Sequence, residues 1–220
     1  MKDYINVIYN KEIRPISSYP KKFVSYNIKR FKIHSKKILE IGSGRGDFIN
    51  EFSRAGMDCF ATDVSDSAKF YLDKNVKFSL NNILNEKLPY QDNCFDVIYS
   101  KSLIEHFQDP EVFFQEAYRV LKKDGLLITY TPDWETQYLN FYDDVTHLRP
   151  FSKISLLNSH KLFGFKDCYV EKFYQLPLVW KFSYLKYLCN FIALFVPIRS
   201  KIKFLRFSKE LMLLSVAKKD

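Results

Sequence analysis

The sequence predicts an α/β fold built on a mainly parallel sheet. Three observations carry this. Short apolar runs of strand length alternate with segments of helix length. The connections are short, and glycine stands where strand turns into helix. With 220 residues, 47% hydrophobic and 17% aromatic, the chain can bury a core around one such sheet. The same composition excludes a disordered tail, a collagen-like repeat and a disulfide-stapled miniprotein.

Each element has its own signal. Lys37 to Gly42 is an apolar run ending in glycine, a buried strand. Asp47 to Ala55 reads as a helix closed by Gly56. Met57 to Asp63 is the second strand, and Val64 to Asp73 a second helix with Ser65 as its N-cap. Val76 to Leu80 is the third strand. The turn-rich Gln91 to Cys94 leads into the fourth, Phe95 to Ser100. Pro110 to Lys123 is a long helix with proline in its first turn, closed by Asp124-Gly125. Leu126 to Thr131 is the fifth strand. Ser152 to Leu162 is a helix stopped at Gly164, and Lys166 to Phe173 and Glu210 to Ala217 are the last strands. The chain thus divides into a basic helical lead-in (1–37), a core (38–175), an insert (176–209) and a terminal strand (210–220).

The net charge of +9 is unevenly spread. Residues 1–37 hold ten Lys/Arg against two acids, and 176–220 hold nine against two. The middle, 38–175, holds 15 against 21. Basic ends on an acidic body suit an anionic partner: nucleic acid, a phospholipid surface or a phosphorylated substrate. Lysine-rich composition alone is the rival explanation at the N-terminal end. Cys59, Cys94, Cys168 and Cys189 are scattered without a C-x-x-C pair, against a zinc ribbon or a disulfide framework. Met1 to Ile5 lacks a basic-then-apolar leader. Both point to a reducing, cytoplasmic location.

Gly42-Ser43-Gly44-Arg45-Gly46 leaves the first strand and opens a helix. Glycines there allow a tight turn and close backbone approach to a ligand, at the strand end where open α/β sheets bind. Asp63 ends the next strand, placed to accept hydrogen bonds from both hydroxyls of a ribose. The dinucleotide pattern G-x-G-x-x-G needs glycine at position 47, where Asp47 stands and would repel a pyrophosphate. No Gly-Lys-Ser/Thr follows, so the phosphate loop fails too. A nucleoside cofactor without phosphates fits better, and Glu40 offers a carboxylate to a cationic one.

With these residues the chain resembles the class I S-adenosylmethionine-dependent methyltransferases. Glu40-x-Gly42-x-Gly44-x-Gly46 is similar to their first motif, and Asp63 to their ribose-binding acid. Asn82-Ile83 stands where the family usually has an aspartate contacting adenine, with Asn as a departure. Leu88 to Ser100, Glu105 to Pro110 and Glu116-x-x-Arg119 to Gly125 continue the likeness. The resemblance implies a Rossmann-like, seven-stranded mixed sheet with helices on both faces and the last strand antiparallel. It implies S-adenosylmethionine as cofactor, held by Glu40, Gly42, Ser43, Gly44, Gly46, Asp63, Val64, Asn82, Ile83 and Ser100.

Methyl transfer from a sulfonium needs alignment above all, and a base only where the nucleophile carries a high-pKa proton. His106, after the fourth strand, is a candidate base or orienting group, with a structural loop histidine as the rival reading. Thr146-His147-Leu148-Arg149-Pro150-Phe151 resembles a segment of a bacterial, surface-glycan-associated subgroup. Thr146, His147 and Arg149 there form a candidate substrate wall: His147 to remove a proton, Arg149 to hold a carboxylate or phosphate. A capping turn before Ser152 is the rival. No His/Asp/Glu cluster at ligand spacing points to a metal.

Leu176 to Lys209 contains seven Lys/Arg and no acid. Its first half is aromatic and aliphatic, its second mixes bases with apolar residues. Between Lys186 and Arg199 lie 12 uncharged residues, too few to span a bilayer of about 30 Å. Residues 178–209 suit the plane of an anionic membrane surface, beside the substrate mouth. The rivals are a helical hairpin on its own domain, a homodimer interface and an RNA-binding arm. The expectation is therefore an S-adenosylmethionine-dependent enzyme, peripheral at the inner face of the membrane, O-methylating a small molecule, a surface glycan or a lipid-linked acceptor. The alternatives are a methyltransferase of quinone or lipid biosynthesis and, less favoured, one acting on RNA.

Overall fold

The computed structural model describes residues 4–8, 15, 17–34, 36–197 and 199–220. Of the basic lead-in, 1–3, 9–14, 16 and 35 lie outside the described residues, as does Ile198 of the insert. The strands are β1 (Lys37–Ile41), β2 (Asp58–Asp63), β3 (Lys77–Leu80), β4 (Phe95–Lys101), β5 (Leu121–Pro132), β6 (Lys166–Phe173) and β7 (Met212–Lys218). They form a seven-stranded sheet in the order β3-β2-β1-β4-β5-β7-β6. β1 pairs in parallel with β2 and β4, and β2 with β3. β7 runs antiparallel to β5. Asp124 N–H donates to the Lys219 carbonyl at one end, and Asp133 N–H to that of Leu211 at the other.

By compactness the chain falls into two units. One comprises residues 1–100, 112–127 and 218–220; the other, residues 101–111 and 128–217. In the first, α1 (Tyr4–Ile8), α2 (Tyr19–Phe31), α3 (Ile49–Arg54) and α4 (Glu111–Val120) accompany β1–β4; only Glu111 of α4 falls outside it. α2 carries Pro20 in its first turn, Lys29 and Arg30 in its last, and ends on Lys32 in the left-handed region at φ 52°. Phe23 of α2 meets Phe48, which with Phe52 of α3 packs on Tyr99 of β4. Arg119 on α4 holds the segment entering β4. It donates to Glu116, to Asp92 and to the carbonyls of Leu88 and Tyr90, while Leu88 N–H donates to Glu116.

Three helices are shorter than expected, the first of them, expected over 47–55, spanning only Ile49–Arg54. The helix from Pro110 ends at Val120, not Lys123, because Asn93 and Cys94 N–H groups take the carbonyls of Arg119 and Val120. The chain then enters β5 at once, with Asp124 left-handed at φ 60°. In place of a helix over 64–73 stands a 3₁₀ turn, Asp66–Tyr71. Ser65 is at its cap position, yet its side chain makes no cap bond. Asn50 ends the turn, donating to the Tyr71 carbonyl and accepting from Asp73 N–H.

The second unit contains α5 (Trp134–Gln137), α6 (Lys153–Leu162), α7 (Pro177–Lys181), α8 (Leu185–Ala193) and α9 (Lys203–Lys209). α6 opens on a capping box between Ser152 and Ser155 and stops before Gly164 at φ 85°. Its His160 is fully buried against Phe165 and bonds Ser215 of β7 at 2.9 Å. The insert is helical, as expected. α8 starts after Ser183, so the expected polar face of Ser183, Lys186 and Asn190 begins outside the helix.

Candidate functional site

In the first unit the glycine loop follows β1 with Gly42, Gly44 and Gly46 all at positive φ (76°, 50° and 70°). Such angles are costly for any residue with a Cβ. Gly42 and Ser43 N–H both donate to the Thr62 carbonyl, and Gly46 N–H donates back to Ser43, closing the turn. A side chain at Gly46 would also strike Leu72 at 2.4 Å. Asp47 precedes α3 and is paired with Arg45 at 2.7 Å, which softens the repulsion of phosphate expected from its charge.

Asp63 is the hub of this region. It is buried at the end of β2. Oδ2 accepts from Gly44 N–H at 2.8 Å and from the Tyr4 hydroxyl at 2.9 Å; Oδ1 accepts from Ser65 N–H at 2.8 Å. Burial holds its carboxyl above the ordinary range, opposed by these bonds and one from Val64 N–H. Glu40 is buried at the register position beside Ala61 and Tyr99. Asn82 is half-buried and spends its carbonyl oxygen on Leu84 N–H at 3.2 Å; Ile83 is buried beside it. Ser43 and Ser100 are buried with no bond to their hydroxyls among the described residues, and Val64 is exposed. Tyr4, in a five-residue helix, has no sequence signal that links it to Asp63. A lone helix that short is unstable and forms only by docking.

The second unit gathers the acceptor candidates. Glu105 is fully buried, with Oε2 accepting from Thr131 at 2.9 Å and Oε1 bonded to nothing among the described residues. Its carbonyl takes the N–H groups of Leu148 and Arg149, which ties the Thr146–Arg149 segment to the Glu105-His106 pair. Burial pushes the Glu105 carboxyl up to about 7, against the pull of its own amide, Thr131 and the His147 and Lys101 charges.

Both imidazoles are oriented. Thr146 donates its hydroxyl to Asp144 at 2.6 Å, so the bond between Thr146 Oγ1 and His106 Nδ1 at 3.0 Å is donated by the ring. His147 Nδ1 lies 2.7 Å from the Phe141 carbonyl and must carry its proton there. In both rings Nε2 is then the basic nitrogen. Burial raises the Asp144 carboxyl, but the Thr146 bonds, with the neighbouring imidazoles, outweigh it and hold it below the usual range. The rings lie 4.9 Å apart. One nitrogen of each ring and one Glu105 oxygen lie within 4.8 Å of one another, a spacing that one hydroxyl, water or metal ion can share. The sequence spacing carried no sign of this grouping, which joins residues 41 positions apart. His147 is distant in sequence, and only folding brings it to the pair. Thr146 is occupied as an orienting group. Arg149 is exposed, with one bond to the Gln108 carbonyl at 3.2 Å.

Comparison with known proteins matches residues 39–129 to a family described as a methyltransferase domain. Over those residues the chain is similar to that methyltransferase domain. The chain is 32% identical over 132 residues to the uncharacterized methyltransferase YcgJ of Bacillus subtilis, covering 53% of this chain and 51% of that protein. It is 28% identical over 137 residues to a ubiquinone biosynthesis O-methyltransferase of Pelagibacter ubique, covering 56% and 57%. The chain thus spans about half the length of these relatives. The fold also matches phosphoethanolamine N-methyltransferase 2 of Haemonchus contortus, solved with S-adenosyl-L-methionine, at TM-score 0.65 and 17% identity, over 99% of this chain and 56% of that one.

The residues of the first unit fit that cofactor. The backbone leaves open space at Gly44, where a Cβ would meet only the Tyr4 hydroxyl, at 3.6 Å, among the described residues, and Asp63 offers a ribose its carboxylate. Asp63→Ala is expected to weaken S-adenosylmethionine binding about 5- to 150-fold, two lost hydrogen bonds each contributing roughly 0.5–1.5 kcal/mol. Tyr4→Phe, which leaves Oδ2 to the ribose, is expected not to weaken it. Calorimetric titration of both variants checks the pair.

Glu105 generates a stability prediction. The unfolded carboxyl ionises near 4.5 and the folded one near 7. Stability is therefore lost as pH rises through that window, by roughly 3 kcal/mol in total. Glu105→Gln should raise the melting temperature at pH 8 and change it little at pH 4, as thermal unfolding at the two pH values would show.

Proposed function

We propose that this chain transfers the methyl group of S-adenosylmethionine to a hydroxyl oxygen of a membrane-proximal acceptor, a surface glycan or another lipid-linked molecule. The observation that carries the reading is the gathering of Glu105, His106 and His147 with both Nε2 atoms basic. A neutral hydroxyl must lose a proton as it attacks, whereas an amine attacks through a lone pair it already has.

When bound, S-adenosylmethionine supplies a methyl carbon already activated by its sulfonium. The chain's own groups then hold, align and deprotonate. The Gly42–Gly46 backbone and Asp63 would hold the nucleoside, with Ile83 and Asn82 against the base. Nε2 of His147 accepts the hydroxyl proton, its ring kept in register by the Phe141 carbonyl. His106 steadies the same oxygen, held by Thr146. The exposed guanidinium of Arg149 provides a planar fork for a carboxylate or phosphate on the acceptor. A second reading, transfer to the phenolic hydroxyl of a quinone precursor, is supported by the relative named for ubiquinone biosynthesis.

The test is to incubate the protein with methyl-labelled S-adenosylmethionine and whole-cell extract, then fractionate the product. Label in a methyl ether of the lipid or glycan fraction is expected; label on nitrogen or in RNA overturns the reading. With the identified acceptor, His147→Ala should lower kcat by about 10²–10⁴-fold with cofactor affinity unchanged. Arg149→Lys should raise the acceptor's KM alone. Equal loss of cofactor and acceptor binding would make these residues merely structural.

A further inference from the structure

We propose that the face formed by α7, α8 and α9 docks on an anionic lipid bilayer. The inference rests on the reading of a membrane-proximal acceptor and names the surface that brings the chain there.

α8 is apolar on both sides. Cys189 faces inward onto Leu176 and Val179, with Leu185 and Phe207 packed around them. Outward, Tyr187, Leu188 and Phe191 are exposed, and just past the helix Leu194 and Phe195 are 76% and 74% exposed. Lys186 and Asn190 are the polar residues of this helix, and so many exposed apolar side chains beside them belong in contact with something apolar. Leu194 also lines a cavity of about 290 Å³ whose walls join Tyr138, Leu139 and Val196 to the charged Glu135, Arg206, Lys209 and Glu210.

Charge selects the occupant. The insert has no acid from Leu176 to Lys209. Arg199 is paired with Asp143 and Arg206 with Glu210. Lys181, Lys186, Lys201 and Lys203 are exposed and make no ion pair among the described residues. Two of these ammonium groups lie over neighbouring rings, Lys181 on Phe182 and Lys186 on Tyr187. Rings and aliphatic side chains with lysines beside them suit a headgroup boundary, where the stems lie in the apolar layer and the charges reach lipid phosphates. A second copy fits poorly. A two-fold interface would set lysine against lysine with no acid of the insert to neutralise them. No helix among the described residues is long and apolar enough to cross a membrane, so the face lies on the bilayer.

The test is co-sedimentation of the full chain with vesicles of phosphatidylcholine alone or with phosphatidylglycerol. Binding is expected to the anionic vesicles, weakened but not abolished by salt, and at most weak to neutral ones. Changing Lys181, Lys186, Lys201 and Lys203 together to Gln should weaken anionic binding at least about 100-fold. Phe191→Ser with Phe195→Ser should remove the salt-resistant part. Both variants should bind S-adenosylmethionine like wild type and still methylate a water-soluble fragment of the acceptor, which separates docking from transfer. The proposal is overturned if wild type ignores anionic vesicles at low salt, if the lysine variant binds them unchanged, or if sedimentation shows a tight dimer or RNA complex that these substitutions dissolve.

Discussion

A buried carboxylate has to be surrounded by donors, and Asp63 sets that demand for the cofactor region. Left unpaired in the interior, its charge would cost several kcal/mol. Gly44, Ser65 and Val64 supply backbone N–H groups and Tyr4 a hydroxyl. Meeting the demand fixes the glycine loop against the end of β2, turns the chain after Asp63 and anchors α1. Glycine is needed because the backbone itself must approach the carboxylate with φ positive. A ribose diol can take up the same oxygens, so the interaction that organises the loop also suits it to a nucleoside.

The same physics governs the second unit. Glu105 is buried with one oxygen held and the other unbonded among the described residues, a costly arrangement that raises its pKa. Such strain in a carboxylate beside two oriented imidazoles is what proton-handling sites are built from. Thr146, itself held by Asp144, and the Phe141 carbonyl determine which nitrogen of each ring carries its proton.

Much of the fold was legible. All seven strands were marked by apolar runs, and Gly46, Gly56 and Gly164 punctuate the chain as their φ angles require. The cofactor loop and Asp63 were legible because local spacing sets their geometry. What sequence missed depends on partners remote in the chain. The helix from Pro110 stops early because Asn93 and Cys94 compete for its last carbonyls. The expected helix after Asp63 tightens into a 3₁₀ turn because Asn50 captures Tyr71 and Asp73. Tyr4 on Asp63, and His147 beside Glu105 and His106, are juxtapositions that no periodicity encodes.

A site for a nucleoside cofactor without phosphates, formed by the loop after β1 and Asp63, makes a sharp demand on binding. The most direct measurement is calorimetric titration of the wild-type protein with S-adenosylhomocysteine and, separately, with NAD. Saturable one-to-one binding of the first and none of the second is expected. Binding of NAD with no response to S-adenosylhomocysteine would contradict it.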